Sequence, residues 1–168
     1  MKLEEAKQQF IQSWGVLGTQ WGINRTMAQI HALLLVSTGE LSADDIMEQL
    51  QISRGNVNMN VRELIDWGLV EKVLKPGERK EFFTAEKDIW KVAMRITKER
   101  KRRELDPVIA MMEQLKEVEG DRKDEESKAF VDTVTQIQKF AKQADRALDG
   151  LVRADENWFT GTLLKIFK

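Results

Sequence analysis

The run Ser53-Arg54-Gly55-Asn56-Val57-Asn58-Met59-Asn60-Val61-Arg62 holds three asparagines and a glycine within six residues, with an arginine on either side. An asparagine amide carries a donor and an acceptor on one fork, the match for the adenine edge. An arginine fork matches the guanine edge in the same way. Gly55 lets backbone come close to a ligand surface that a Cβ would hold off. Asn and Gly cost roughly 0.5–1 kcal/mol each against Ala inside a helix, yet the apolar spacing Val57, Val61, Leu64, Ile65 asks for a helix here. Local conflict of that kind marks a functional surface. With Val57, Val61 and Leu64 turned to a core, Gly55, Asn56, Met59, Arg62 and Glu63 point away. Asn58 and Asn60 flank that outward face, and Arg54 projects from the N-terminal end.

A second group, Lys75-Pro76-Gly77-Glu78-Arg79-Lys80, combines a turn dipeptide with three cations. At the tip of a hairpin, Arg79 suits a narrow minor groove, while Lys75 and Lys80 suit phosphate. Together the two groups would read and hold double-stranded DNA. An ordinary solvated helix face and a charged turn are the bland alternatives.

Positioning these residues takes several elements. Leu3, Ala6, Phe10, Trp14, Leu17 and Trp21 form an amphipathic stripe, and Gly22 ends that helix. A second helix is expected from about Thr26 to Ser37, with Ile30, Leu33, Leu34 and Leu35 as a broad core face. Gly39-Glu40-Leu41 reads as extended. Ser42 then caps a helix with Asp45 as its capping-box partner, and Ile46, Met47 and Leu50 supply the buried side. Gln51-Ile52 turn the chain, Ser53 caps the helix from Arg54 to Trp67, and Gly68 ends it. Two short capped helices joined in this way make a helix-turn-helix. The β-rich Leu69–Leu74 and Glu81-Phe82-Phe83-Thr84 then form a hairpin, or wing. A helix from Lys87 to Glu104 follows, expected to break at Asp106-Pro107, with further helices over 107–118 and about 124–149. The apolar Trp158–Phe167 is expected to pack on the first helix. The fold class is mainly α: a winged helix-turn-helix with a two-stranded wing and added N- and C-terminal dimerisation helices. The segments are residues 1–22 (N-terminal helix), 23–86 (winged helix) and 87–168 (linker helix and C-terminal helical region).

A net charge of −1 over 168 residues hides an uneven distribution. Residues 71–104 carry 12 Lys/Arg against 7 Asp/Glu, while the flanking segments are each −3. A local basic patch, more than overall charge, attracts phosphate. The run Lys98–Arg103 wraps most of a helix circumference and is expected to be solvated. With no cysteine and one histidine, His31, neither a thiol nucleophile nor a zinc centre is expected. His31, alone on an apolar helix, reads as packing. No catalytic constellation and no cofactor are expected. Lacking a signal-peptide pattern and a membrane-length apolar run, the chain is expected to be cytoplasmic.

The block from Ser53 through Val70, the following Lys75–Phe83 and the later Arg102-Arg103-Glu104-Leu105-Asp106-Pro107 resemble the GbsR-type branch of the MarR-like winged helix-turn-helix regulators. The resemblance covers about residues 8–115. It implies a homodimer with terminal helices at the interface and two recognition helices in successive major grooves of a pseudo-palindrome; a repressor is the expected role. It also implies Arg79 as a minor-groove contact, although Glu78 stands where the superfamily often has Asp. The expected DNA contacts are Ser53, Arg54, Gly55, Asn56, Asn58, Met59, Asn60, Arg62, Lys75, Arg79 and Lys80.

Five tryptophans, Trp14, Trp21, Trp67, Trp90 and Trp158, are many for this length. Indole faces attract quaternary ammonium groups, and regulators of the choline-responsive branch suggest such an effector. By chain position Trp14, Trp21 and Trp90 suit a cleft between the winged helix and the dimer helices; core packing is the alternative use of the same residues. Trp67 is expected to pack beneath the wing. Two other functions stay open at this point: a winged helix used as a protein–protein interaction module without DNA binding, and an RNA-binding winged helix.

Overall fold

The structure is a computed structural model that describes residues 1–117 and 124–166, with side chains described to residue 152. The packing expected of Trp158–Phe167, and the polar break at Glu119-Gly120-Asp121, lie outside the described side chains. The chain divides into two compact units, Met1–Arg95 and Ile96–Lys168. The division falls between Arg95 and Ile96, where the sequence suggested boundaries at 22 and 86.

In the first unit, α1 (Leu3–Gln20) packs along α2 (Arg25–Val36). The buried face of α1 is Ile11, Gly15 and Gly18, while Phe10, Trp14 and Leu17 of the aromatic stripe are half-buried. Leu3 and Trp21 are 73% and 47% exposed. Two glycines explain the difference, because they let α2 come close. A Cβ on Gly18 would stand 2.6 Å from the Cβ of Ala28. Phe10 and Trp14 lie at the edge of the contact, their rings 5.4 Å apart. Asn24 caps α2 through bonds from the amides of Thr26 and Met27. At the other end Lys87 Nζ donates to the carbonyls of Leu34, Leu35 and Ser37. A cation there complements the helix dipole as well as the open carbonyls.

Next come β1 (Leu41–Ser42), α3 (Ala43–Leu50) and α4 (Arg54–Asp66). The capping box is present: Asp45 Oδ2 accepts from Ser42 N at 2.7 Å, and Asp45 N donates to Ser42 Oγ at 3.3 Å. Ile46, Val57, Val61 and Leu64 are buried with Ile30 and Leu34, so the α2–α3–α4 core follows the apolar spacing of the sequence. Gln51, with φ +54, makes the left-handed corner between α3 and α4.

Strands β2 (Val70–Leu74) and β3 (Glu81–Ala85) form the hairpin, paired Val70 with Ala85 through Leu74 with Glu81. Strand β1 adds to the far edge of β3, giving an antiparallel sheet in the order β1-β3-β2. Glu78 N donates to Lys75 O at 3.1 Å, and Gly77 has φ +82. Pro76 and Gly77 therefore occupy the two central positions of a type II turn. Arg95 reaches back to Gly68 O and lies 3.4 Å from Glu86, bracing the junction between α4 and β2. Trp67 is buried beside this junction in the sequence. This is a winged helix.

The division between units falls within α5 (Ile89–Arg100). The expected break at Asp106-Pro107 is absent. A π-helical turn over Lys101–Leu105 leads directly into α6 (Asp106–Leu115). Proline removes a helical donor and crowds the carbonyl a turn earlier, and the wider turn, with Asp106 N bonded to Lys101 O, accommodates it without ending the helix. α7 (Glu125–Ile166) packs against α6 and this turn. The basic run is satisfied locally. Glu99 takes Arg102 and Arg103, Arg100 pairs with Glu104, and Lys101 lies 2.8 Å from Asp145 and 3.3 Å from Asp149. No helix among the described residues is long and apolar enough to cross a membrane.

Candidate nucleic-acid interface

Helix α4 turns Val57, Val61 and Leu64 inward and leaves Arg54, Gly55, Asn56, Asn58, Met59 and Arg62 exposed. Ser53 is the N-cap, its Oγ accepting from Asn56 N at 3.3 Å. The amides of the first turn thus lie at an exposed helix N-terminus beside Arg54. Asn56 contributes only backbone bonds to the fold, so its amide group is available. Met59, 57% exposed, is the one large apolar side chain on this face among the described residues, and its thioether suits a thymine methyl. Nothing but Ser53 Oγ, at 4.0 Å, would meet a Cβ on Gly55.

Asn60 departs from the expectation. It is 1% exposed, and its Nδ2 donates 2.8 Å to the carbonyl of Asn56 one turn earlier. An amide satisfied by its own helix can be buried at small cost, and a buried side chain reads no base. Asn60 therefore leaves the set of candidate contacts.

The hairpin stands beside α4. Ser42, Asp44, Arg54, Asn58, Arg79 and Lys80 line a cavity of about 320 Å³ between the wing and the helix. Arg79 and Arg62 have no ion-pair partner among the described residues. The other cations are engaged. Arg54 pairs with Asp44, and Lys80 Nζ lies 3.0 Å from the second oxygen of the same carboxylate. Lys75 Nζ lies 3.3 Å from Glu40 and 4.1 Å over the ring of Phe82. Asp44 is held below the usual carboxylate range first by the Lys80 hydrogen bond and then by the charge of Arg54. Lys80 is pushed up in return. Glu40 is lowered by its own backbone amide and by Lys75. Sequence reasoning passed over Glu40 and Asp44. An acid in the first turn of a helix reads as a complement to the dipole, and the cation it meets lies ten or more residues away in the chain.

Of the three indoles expected at an effector cleft, Trp14 is half-buried against Phe10 and 6.3 Å from the His31 ring. Trp21 and Trp90 are about half exposed. Among the described residues no group of three or more His, Cys, Asp or Glu side chains could hold a metal ion.

Residues 21–81, from the end of α1 to the first residue of β3, match the MarR family. Over 89 residues, 53% of this chain and 49% of the relative, the chain is 30% identical to the HTH-type transcriptional repressor GbsR of Bacillus subtilis (strain 168). The winged helix is thus similar to MarR-family domains, GbsR among them. YvaV of the same strain is 23% identical over 88 residues, 52% of this chain and 50% of YvaV. The chain thus matches about half the length of each of these curated relatives. A crystal structure described as a transcriptional regulator has the same fold, with a TM-score of 0.57 over 86% of this chain and 99% of that one at 16% identity.

Proposed function

We propose that this protein is a GbsR-type, sequence-specific, double-stranded DNA-binding transcriptional regulator, acting as a repressor. The observation that carries the proposal is the outward face of α4. Its Gly55, Asn56, Asn58, Met59 and Arg62 contribute little to the core, and they adjoin a hairpin that presents Arg79 without an ion-pair partner among the described residues. Asn56 and Arg62 would read base edges in a major groove. Arg79 would enter the neighbouring minor groove, and Ser53, Arg54, Lys75 and Lys80 would take phosphates.

A homodimer on a pseudo-palindromic operator follows from the surfaces left over. Leu3, Val16 and Trp21 are exposed in the first unit, and Phe130, Ile137, Phe140 and Leu151 on α7 in the second. A second copy of the chain would cover apolar side chains that these surfaces leave in water. A small cation such as choline is proposed as effector, with the half-exposed indoles of Trp21 and Trp90 as its seats and Trp14 in a packing role. Regulation requires that the ligand bind the DNA-competent and incompetent arrangements with different affinity.

The test is a salt titration of binding to mixed-sequence duplex DNA, followed by enrichment of genomic fragments. The proposal expects affinity to fall steeply as salt rises and the enriched fragments to share an inverted repeat. Binding that ignores salt, or preference for structured RNA over duplex, would overturn it. Choline at millimolar concentration should lower operator affinity and shift tryptophan fluorescence together. Failure of both removes the effector and leaves the DNA reading standing.

A further inference from the structure

The cations offered to DNA by α4 and the wing are not equally free. Arg54 and Lys80 share the carboxylate of Asp44, one on each oxygen. Lys75 is held by Glu40. Arg62 and Arg79, by contrast, meet no acid among the described residues. Glu40 and Asp44 stand four residues apart around β1, on the floor between helix and wing. The capping box of α3 uses Asp45 and neither of these two acids. Glu40 is exposed and Asp44 half-exposed, and both are acids set inside a surface whose proposed ligand is a polyanion.

The geometry points to Glu40 and Asp44 as an acidic clamp that competes with DNA phosphate for Arg54, Lys75 and Lys80, and so sets how well the protein tells its operator from random duplex. The inference rests on the DNA-binding reading above. A cation that meets phosphate from water releases a condensed counterion from the DNA and gains affinity on any sequence, with a salt slope of about 0.9 per phosphate. A cation already held by a carboxylate exchanges one anion for another and leaves that carboxylate facing the backbone. The sequence-independent part of binding is reduced in this way, while Asn56, Met59, Arg62 and Arg79 keep their full contribution. Exposed ion pairs are weak enough to exchange, so the clamp gives way where base contacts add to the phosphate contacts.

The experiment compares two duplexes by fluorescence anisotropy across a salt series. One is enriched by the wild-type full chain from a random pool, and the other is its scrambled counterpart. Asp44→Asn and Glu40→Gln remove the clamp. Glu48→Gln removes the same charge from an exposed position on α3 that has no ion pair among the described residues. Asp44→Asn should tighten binding to the scrambled duplex roughly two- to thirty-fold, the loss of two exposed pairs. It should also steepen the salt slope by about one to two units. The enriched duplex should gain less, so the ratio of the two affinities falls. Glu40→Gln should act in the same sense through Lys75 alone, and Glu48→Gln should leave the ratio unchanged.

Weaker binding of Asp44→Asn to both duplexes would make Asp44 a brace that positions Arg54 and Lys80, and would overturn the inference. So would an unchanged scrambled affinity, or a Glu48→Gln effect as large as that of Asp44→Asn. A wild-type protein that binds neither duplex overturns the DNA-binding reading itself. Wild-type binding with an inert Asp44→Asn overturns only the clamp.

Discussion

Lowering the pH from 7 to 5 should destabilise the first unit through a single imidazole. His31 lies on α2 at 3% exposure, and its Nε2 meets no hydrogen-bond partner among the described residues. The Trp14 ring is 6.3 Å away, and the ammonium of Lys87 is held over the end of the same helix. Burial first, and the charge of Lys87 second, push the His31 pKa down from 6.5 to about 4. The folded protein therefore keeps His31 neutral where the unfolded chain binds a proton. Stability is complete above pH 6.5 and is lost as the pH falls toward 4. At 1.36 kcal/mol per pKa unit the loss from this residue is about 2 kcal/mol between pH 7 and 5, approaching about 3 kcal/mol near pH 4. The carboxylates lowered by their partners, such as Asp45 beside Ser42 and Glu99 beside Arg102, have ordinary values of 3.8 and 4.5 and contribute mainly below pH 5. Urea denaturation at pH 7, 6 and 5 measures the slope, and His31→Leu should flatten it. Because His31 is the only histidine, its ring proton resonance in NMR reports the folded pKa directly. A midpoint near 6.5, or an unchanged pH slope in His31→Leu, would refute the reasoning.

Three further outcomes follow from packing. Gly18→Ala should lower stability by about 1–3 kcal/mol through overpacking against Ala28. Gly15→Ala should cost less, because its new methyl meets the flexible Gln29 side chain; equal thermal shifts would contradict the close α1–α2 contact. Gly55→Ala should leave the melting temperature unchanged or raise it, by up to about 1 kcal/mol of helix propensity, while weakening DNA binding. A variant with wild-type affinity would show that no backbone approach is needed there. Sedimentation at micromolar concentration should give a dimer; a species at 19.5 kDa, with and without DNA, would contradict the proposed assembly.

Much of the first unit could be read from residue order, because its elements are specified by local signals. Ser42 with Asp45, Ser53, Gly68 and Pro76-Gly77 each fix a boundary through a bond or dihedral made within a few residues, and Val57, Val61 and Leu64 fix the inward face of α4. The departures share one cause, which is that the deciding partner is not a sequence neighbour or carries no hydrophobic signal. The contact face of α1 is built on Gly15 and Gly18, which score as nothing in an apolar pattern, so the residue order does not reveal it. At Asn60 a polar residue is buried because its own helix supplies the acceptor, an arrangement that the polar pattern conceals. The π turn before Pro107 absorbs a residue whose type argues for a break. At the candidate interface the outward side chains of α4 and the wing were legible. The ion pairs of Arg54, Lys75 and Lys80 were not, since they depend on how β1 and α3 lie between helix and wing.

The central claim is that the outward face of α4 reads base sequence, and Asn56→Ala tests it most directly. The Asn56 side chain makes no bond that the fold uses, so the variant should melt with the wild type. Its affinity for the enriched duplex should fall by about 1–3 kcal/mol, with a smaller change on scrambled duplex and the same salt slope. Equal loss on both duplexes, or no loss on either, would contradict the account.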